Sequence, residues 1–421
     1  MGSQDTSLVF RHLALQSVGF MRKKSIHELD ITRLRADTPG CESVLHFNNA
    51  GAGLMVHLVL NAVTEHLKNE AEVGGYEAAA AARAAFENTY GALAQFLNCS
   101  TKEIALMENA TVAWQAAFYG LANGFRSGDR IITGEAEYAS NYIAYLQMAE
   151  RTGIKIDVVP GNELGEIDVV ALENMIDERV KLIAITHIPT NGGLINPAAR
   201  IGKIARAASI PYLLDACQSA GQVPIDVEAM GCDMLSAAGR KYLRGPRGTG
   251  FLYVRGDFLE RLEPPMPDLH GASWSERDRY ILRADARRFE NWEFNVAAQI
   301  GLGVAVSYAN ELGQHVIQQR IFKLANLLRE RLKAVPNVTV HDIGHDLGGI
   351  VSFSSLDMVP NTLMLRLREM GINCSTSSIS STRLDMGRRG LNVINRASVH
   401  YYNTENEVLR FTEAISRLVN R

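Results

Sequence analysis

Cysteines are few, and nothing in their spacing pairs them. Five are scattered through 421 residues, Cys41, Cys99, Cys217, Cys232 and Cys374, with no Cys-x-x-Cys. An odd, dispersed set makes neither a disulfide framework nor a structural metal site, and it fits a reducing compartment. A cytoplasmic protein without a metal is therefore expected. The Asn-x-Ser/Thr sequons at Asn98, Asn109, Asn337 and Asn373 are then chance matches. A charge excess is missing as well. The 43 basic and 46 acidic residues leave a net charge of −3, which gives no electrostatic reason to expect a nucleic-acid partner. No window approaches the roughly 18 uninterrupted apolar residues of a membrane span, so no membrane partner is expected. There is no internal repeat and no charge block, only the alanine-rich Ala78–Ala85, a good helix former.

What is present reads as a globular chain. Apolar residues are 47% and charged residues 21%, which excludes a mostly disordered protein. At about 150 residues per domain, the length suggests two to three domains. Met1-Gly2-Ser3-Gln4-Asp5-Thr6 fits a loose myristoylation pattern, and Gly2-Ser3 fits a cloning remnant equally well. Phe10–Phe20 reads as part of an arm, residues 1–45, that packs on the body.

From about Leu93, helical stretches such as Thr111–Leu121, Tyr142–Thr152 and Ala198–Ala208 alternate with short apolar runs. The runs are Ile104–Met107, Arg130–Thr133, Lys155–Val159, Leu182–Ile185, Tyr212–Asp215, Met234–Leu235 and Gly250–Val254. Such alternation predicts an α/β fold around a mostly parallel, seven-stranded sheet covered on both faces. After about Asn295 the pattern changes. Ala297–Tyr308 and Gln314–Val335 read as helices, Val338–Val340 and Ile350–Phe353 as strands, and Glu405–Val419 as an amphipathic helix. Residues 46–295 are thus expected to form a large domain and 296–421 a smaller α+β domain.

The sharpest local signal is Ser236–Gly250, where Arg240, Lys241, Arg244 and Arg247 crowd a glycine-rich connection after an apolar strand. Basic groups on such a turn predict a bound anion. The second signal is Asp215, which ends an apolar strand at the carboxyl edge, where open α/β sheets bind ligands. Either residue alone has an ordinary explanation, a solvated lysine or a helix cap. Together they reach one sheet edge. An aspartate that keeps a pyridinium nitrogen charged and a lysine that forms an imine are the pair that pyridoxal phosphate requires.

At this point the chain resembles the class V aminotransferase group of fold-type I pyridoxal-phosphate enzymes, which includes cysteine desulfurases and isopenicillin N epimerase-like proteins. The likeness runs from about His46 to Asn403. His46–Gly51 is similar to the family's opening substrate-side segment, which makes Asn49 a substrate contact. Glu108-Asn109-Ala110-Thr111 resembles the turn that holds the phosphate at a helix N-terminus. Tyr138 falls where the family sets an aromatic ring, often histidine, on the pyridine face. Thr186–Gly193 resembles the loop that meets the ring hydroxyl and the substrate, which implies roles for Thr190 and Asn191. Asp215 and Gln218 match the partners of the ring nitrogen and phenolic oxygen, Lys241 the imine lysine, and Arg396 the arginine that clamps the substrate α-carboxylate.

The departures bear on the reaction. Many relatives have Ser-x-His-Lys where this chain has Ala238-Gly239-Arg240-Lys241, so Arg240 takes a phosphate or structural role. Arg288–Glu293 resembles the segment that reaches into a neighbouring subunit's site, which implies a homodimer with sites at the interface, although Trp292 suits an ordinary core position as well. Cysteine desulfurases carry a nucleophilic cysteine on a loop shortly before the carboxylate arginine. Here that loop is Ser377-Ser378-Ile379-Ser380-Ser381, and Cys374 precedes it in an apolar run that reads as a buried strand. Arg383 is placed to meet a second acidic group on the substrate. Without a loop cysteine, the expected reaction is β-elimination by a C–S lyase acting on an S-substituted cysteine. The alternatives are transamination, epimerisation or decarboxylation, then cysteine desulfuration, and last a catalytically silent binding homologue.

Overall fold

A computed structural model describes residues 29–419; the myristoylation pattern and the Phe10–Phe20 stretch lie outside the described residues. Each of the seven apolar runs forms a strand of one sheet: β1 (Ile104–Met107), β2 (Arg130–Gly134), β3 (Lys155–Val159), β4 (Val180–Thr186), β5 (Tyr212–Asp215), β6 (Met234–Ala238) and β7 (Gly250–Val254). Their spatial order is β1-β7-β6-β5-β4-β2-β3. All are parallel except β7, which runs antiparallel to both its neighbours. The fold is the expected α/β class.

The side-chain alternation of a strand sends neighbours to opposite faces, and both faces are apolar. Leu214, Leu235 and Phe251 join one buried cluster, while Leu213, Met234 and Leu252 join a second. Burying each such side chain contributes about 1.5–3 kcal/mol, so a carboxylate inside this sheet is costly. Asp215 is nevertheless only 5% exposed at the end of β5. Helices α1 (Ala110–Ala122) and α2 (Ala139–Thr152) cover the second face, where Trp114, Phe118 and Tyr145 pack ring against ring.

Beyond the sheet lie α3 (Val296–Leu312) and α4 (Gln314–Lys333). A four-stranded antiparallel sheet follows, from β8 (Val338–Val340), β9 (Ile350–Ser355), β10 (Ser375–Ser378) and β11 (Val393–Ser398), in the order β8-β9-β11-β10. The chain closes with α5 (Glu405–Val419), packed against α4. Leu45–His46 pairs in parallel with Ile372–Asn373, and Phe47 stacks on Phe411 of α5 at 4.4 Å, which ties the start of the body to the strand before β10 and to α5. An exposed hairpin, Ala272–Glu276 with Arg279–Leu282, has no counterpart among the predicted strands. Among the described residues, no helix is long and apolar enough to cross a membrane.

Candidate active site

Three parallel strands end where the chemistry is expected. The turn after β6 is fixed by backbone bonds: Gly239 N–H to Thr249 O at 3.0 Å, Gly245 N–H to Gly239 O at 2.8 Å, and Arg244 N–H to Lys241 O at 3.0 Å. This turn carries Lys241 to the sheet edge where β5 delivers Asp215. Between β1 and α1, Asn109 caps the helix by accepting from Val112 N–H at 3.0 Å, which leaves the Ala110 and Thr111 N–H groups at the first turn of α1 for a ligand. β7 comes close to that turn only because residue 250 is glycine. A Cβ there would sit 2.6 Å from Asn109 C and 2.9 Å from Ala110 N.

These ends enclose a cavity of about 310 Å³. Of the expected cofactor residues, Ala110, Thr111, Tyr138, Thr190, Asp215, Gln218, Arg240 and Lys241 all line it. Arg396 stands behind Thr190, one of the lining residues: Nη1 donates to Thr190 O and Oγ1, each at 2.8 Å, and Nε donates to Ser375 Oγ at 3.1 Å. Like Arg396, the expected substrate residues Asn49, Asn191 and Arg383 are not among the lining residues. The Asn49 amide donates to Ser398 O at 2.7 Å and its oxygen accepts from Tyr402 Oη. Asn191 is buried and donates to Asp385 Oδ2 at 2.7 Å, while Arg383 is exposed.

The basic cluster divides. Arg240, Lys241 and Arg247 line the cavity. Arg244 turns away, which corrects its expected place beside an anion. It has φ +62°, a left-handed conformation unfavourable for an arginine. Its guanidinium donates to Leu54 O at 2.6 Å, Tyr401 Oη at 2.6 Å and Thr38 Oγ1 at 2.5 Å, and it lies 4.5 Å over the Tyr402 ring. Those contacts anchor the turn to the residues around Tyr401.

Asp215 is held from two sides. Oδ1 accepts from Cys217 N–H at 2.8 Å and Oδ2 from Asn141 Nδ2 at 2.9 Å. Burial pushes its carboxyl up, while the two hydrogen bonds and the nearby Lys241 charge pull it down. A positive ring nitrogen would add to that pull. Gln218 donates to Ala50 O at 3.1 Å, while its Oε1 is buried without a partner. A buried, anchored carboxylate, a lysine beside it, an unpaired amide oxygen and an open helix N-terminus with basic neighbours are the complement of a phosphorylated hydroxypyridine aldehyde, so the residues fit pyridoxal phosphate.

Asn141 and Cys217 also line the cavity, and neither was picked out from the sequence. Asn141, in the first turn of α2, bonds Glu137, which precedes the helix, and no pattern in the sequence marks that contact. Cys217 touches Lys241; burial pushes its thiol up and the lysine pulls it down. Cys374 lies elsewhere, 3% exposed between Ile372–Asn373 and β10, with burial pushing its thiol up to about 12. The expected inter-subunit segment also divides. Arg288 is buried and donates inward to Arg283 O and Leu259 O, whereas Trp292 is 49% exposed.

The family model described as Aminotransferase class-V matches residues 45–411. A curated relative described as a probable cysteine desulfurase, from Methanothermobacter thermautotrophicus, is 30% identical over 91% of this chain and 97% of its own length. The apo structure of cysteine desulfurase from Thermococcus onnurineus NA1 superposes with a TM-score of 0.87 at 27% identity, covering 94% of this chain and all of that one. C-DES, a cystine C–S lyase solved in complex with its product cysteine persulfide, is similar in fold at TM-score 0.80 and 23% identity, over 90% of this chain and 99% of its own. A variant of it carries glycine covalently linked to the PLP cofactor. The named desulfurases overturn the expected C–S lyase reaction, which had rested on a missing loop cysteine.

Proposed function

Because the chain belongs to the class-V aminotransferase family and is an enzyme that uses pyridoxal 5′-phosphate, we propose that it is a cysteine desulfurase, passing the sulfur of cysteine to an acceptor thiol as a persulfide and leaving alanine. The observation that carries the reading is that Lys241 and Asp215 share one cavity, with Arg396 bonded to Thr190 of its lining, in a chain whose curated relatives are described as cysteine desulfurases.

The bound cofactor supplies an electron sink for a bond broken at Cα. Lys241 would attach it and, once displaced by the substrate amine, act as the base at Cα. Asp215 would hold the proton on the ring nitrogen. Thr111, the N-terminus of α1, Arg240 and Arg247 would take the phosphate, and the Gln218 amide oxygen would accept from the ring hydroxyl. Tyr138, half-buried at the start of α2, would cover one ring face. Arg396 would pair with the substrate carboxylate and so fix which Cα bond stands perpendicular to the ring.

Two outcomes are expected from this arrangement. Arg396→Ala should raise KM for cysteine by about 10- to 100-fold, the scale of a lost charged hydrogen bond of roughly 1.5–3 kcal/mol; steady-state alanine formation measures it, and an unchanged KM would remove the arginine from the carboxylate site. Cys374→Ala should keep most of the activity toward cysteine, because a buried thiol with a raised pKa is a poor nucleophile. If the folded variant forms neither alanine nor persulfide, Cys374 is the sulfur acceptor after all. The thiol that faces the cavity is Cys217.

The assembly we propose is a homodimer. Its support is a cavity of about 870 Å³ rimmed by Leu67, Tyr76, Trp292 and Phe294, with Tyr76 72% exposed; light scattering in solution tests it. A cytoplasmic location is supported by five free cysteines. The reading as a whole is tested by the absorption of the yellow holoenzyme, which should change on adding cysteine.

A further inference from the structure

Behind Asp215 lies a second carboxylate that the reaction described above does not use. Glu137 is 4% exposed, between the end of β2 and the start of α2. Its Oε1 accepts from Tyr138 N–H at 2.7 Å, Asn141 Nδ2 at 2.8 Å and Thr186 Oγ1 at 2.5 Å, and its Oε2 accepts from Thr133 Oγ1 at 2.9 Å. Four donors converge on one buried acid, and two of them come from the ends of strands β2 and β4. Asn141 Nδ2 also donates to Asp215 Oδ2 at 2.9 Å. An amide NH₂ has two hydrogens, so both are used: one on Glu137 and one on Asp215. Asn141 is itself only 2% exposed, and Thr186 stands in register beside Asp215 on the neighbouring strand.

A carboxylate this deeply buried is costly even with its hydrogen bonds satisfied, and a sheet edge does not need one to fold. We infer that Glu137 is a positioning residue for the cofactor's ring: through the Asn141 amide it locks the orientation of Asp215, and when ionised its negative charge behind that aspartate supports the proton on the ring nitrogen. The geometry permits this because the one Asn141 amide nitrogen bonds both acids while Asp215 lines the cavity. Burial, followed by the charge of Asp215, raises the Glu137 carboxyl to about 7, against the pull of Thr186, Asn141 and the Tyr138 N–H. Tyr145 on α2 and Asp215 on β5 are the titratable groups coupled to it, and Lys241 lies beyond Asp215. The inference rests on the cofactor and is independent of which amino acid is the substrate.

The test uses holoenzyme loaded with pyridoxal phosphate labelled with ¹⁵N in the ring. Glu137→Gln keeps the shape and an acceptor for Asn141 but removes the charge; Asn141→Ala cuts the link. In both, the ring-nitrogen resonance should move toward its unprotonated position while the cofactor stays bound. kcat should fall about 10-fold with KM little changed, the lower end of what outer partners of metal-bound groups contribute. The double variant should be no worse than Asn141→Ala, since residues acting as one unit are non-additive. A wild-type resonance and pH profile in both folded single variants would overturn the proposal, as would strictly additive effects. Should Glu137→Gln fail to fold, the resonance in Asn141→Ala decides: a shift supports the link and a wild-type position refutes it. An enzyme that turns out not to act on cysteine changes none of these readouts.

Discussion

Replacing Lys241 with alanine is expected to give a folded protein with no covalently held cofactor and a turnover reduced on the order of a thousandfold or more. The loss is large because one side chain serves twice, as the amine that attaches the cofactor and as the base nearest Cα. Folding should survive, because the turn is held by its backbone, through Gly239, Arg244 and Gly245, and by the buried Arg244 guanidinium. None of those contacts uses the lysine amine. Borohydride reduction of the wild-type holoenzyme followed by peptide mass spectrometry should place the label on Lys241, and circular dichroism should show the variant folded. A label on any other lysine would end the assignment.

Asp215→Asn should retain the cofactor and lose most of the activity. Removing one member of a buried charge pair costs about 3–5 kcal/mol, or about two to four orders of magnitude in rate. The asparagine keeps the size and can still accept from Cys217 N–H or Asn141, but it carries no charge to hold a protonated ring nitrogen. Its other arm brings an NH₂ toward a donor, so a modest loss of stability is expected as well. Stopped-flow absorbance and steady-state turnover measure the effect. Near-normal turnover would make Asp215 a structural residue.

The main sheet was legible because its strands are buried on both faces. Runs such as Tyr212–Asp215 and Gly250–Val254 have no competing pattern, and their predicted limits coincide with β5 and β7. The site was legible where a residue type is chemically unusual for its place, as with Asp215 closing an apolar strand. Arg244 misled for a physical reason. Sequence places a basic group on a turn, but only the left-handed φ and the three acceptors around its guanidinium decide which way it points. The Glu137–Asn141–Asp215 chain was hidden because its members come from separate elements and meet only after the strands align. The hairpin at Ala272–Leu282 was missed because its side chains are largely exposed and give no buried alternation to read. The reaction is not legible in the sequence for yet another reason: the serine-rich loop carries no cysteine, and the candidate outcomes share every other residue.

The most direct measurement is product analysis with L-cysteine as the only substrate. Purified holoenzyme is incubated with cysteine and a reducing thiol, and alanine, sulfide, pyruvate and ammonia are quantified in the same samples. A cysteine desulfurase gives alanine and sulfide in equal amounts with no pyruvate. Pyruvate and ammonia in place of alanine, or no product from cysteine at all, would contradict the proposed function.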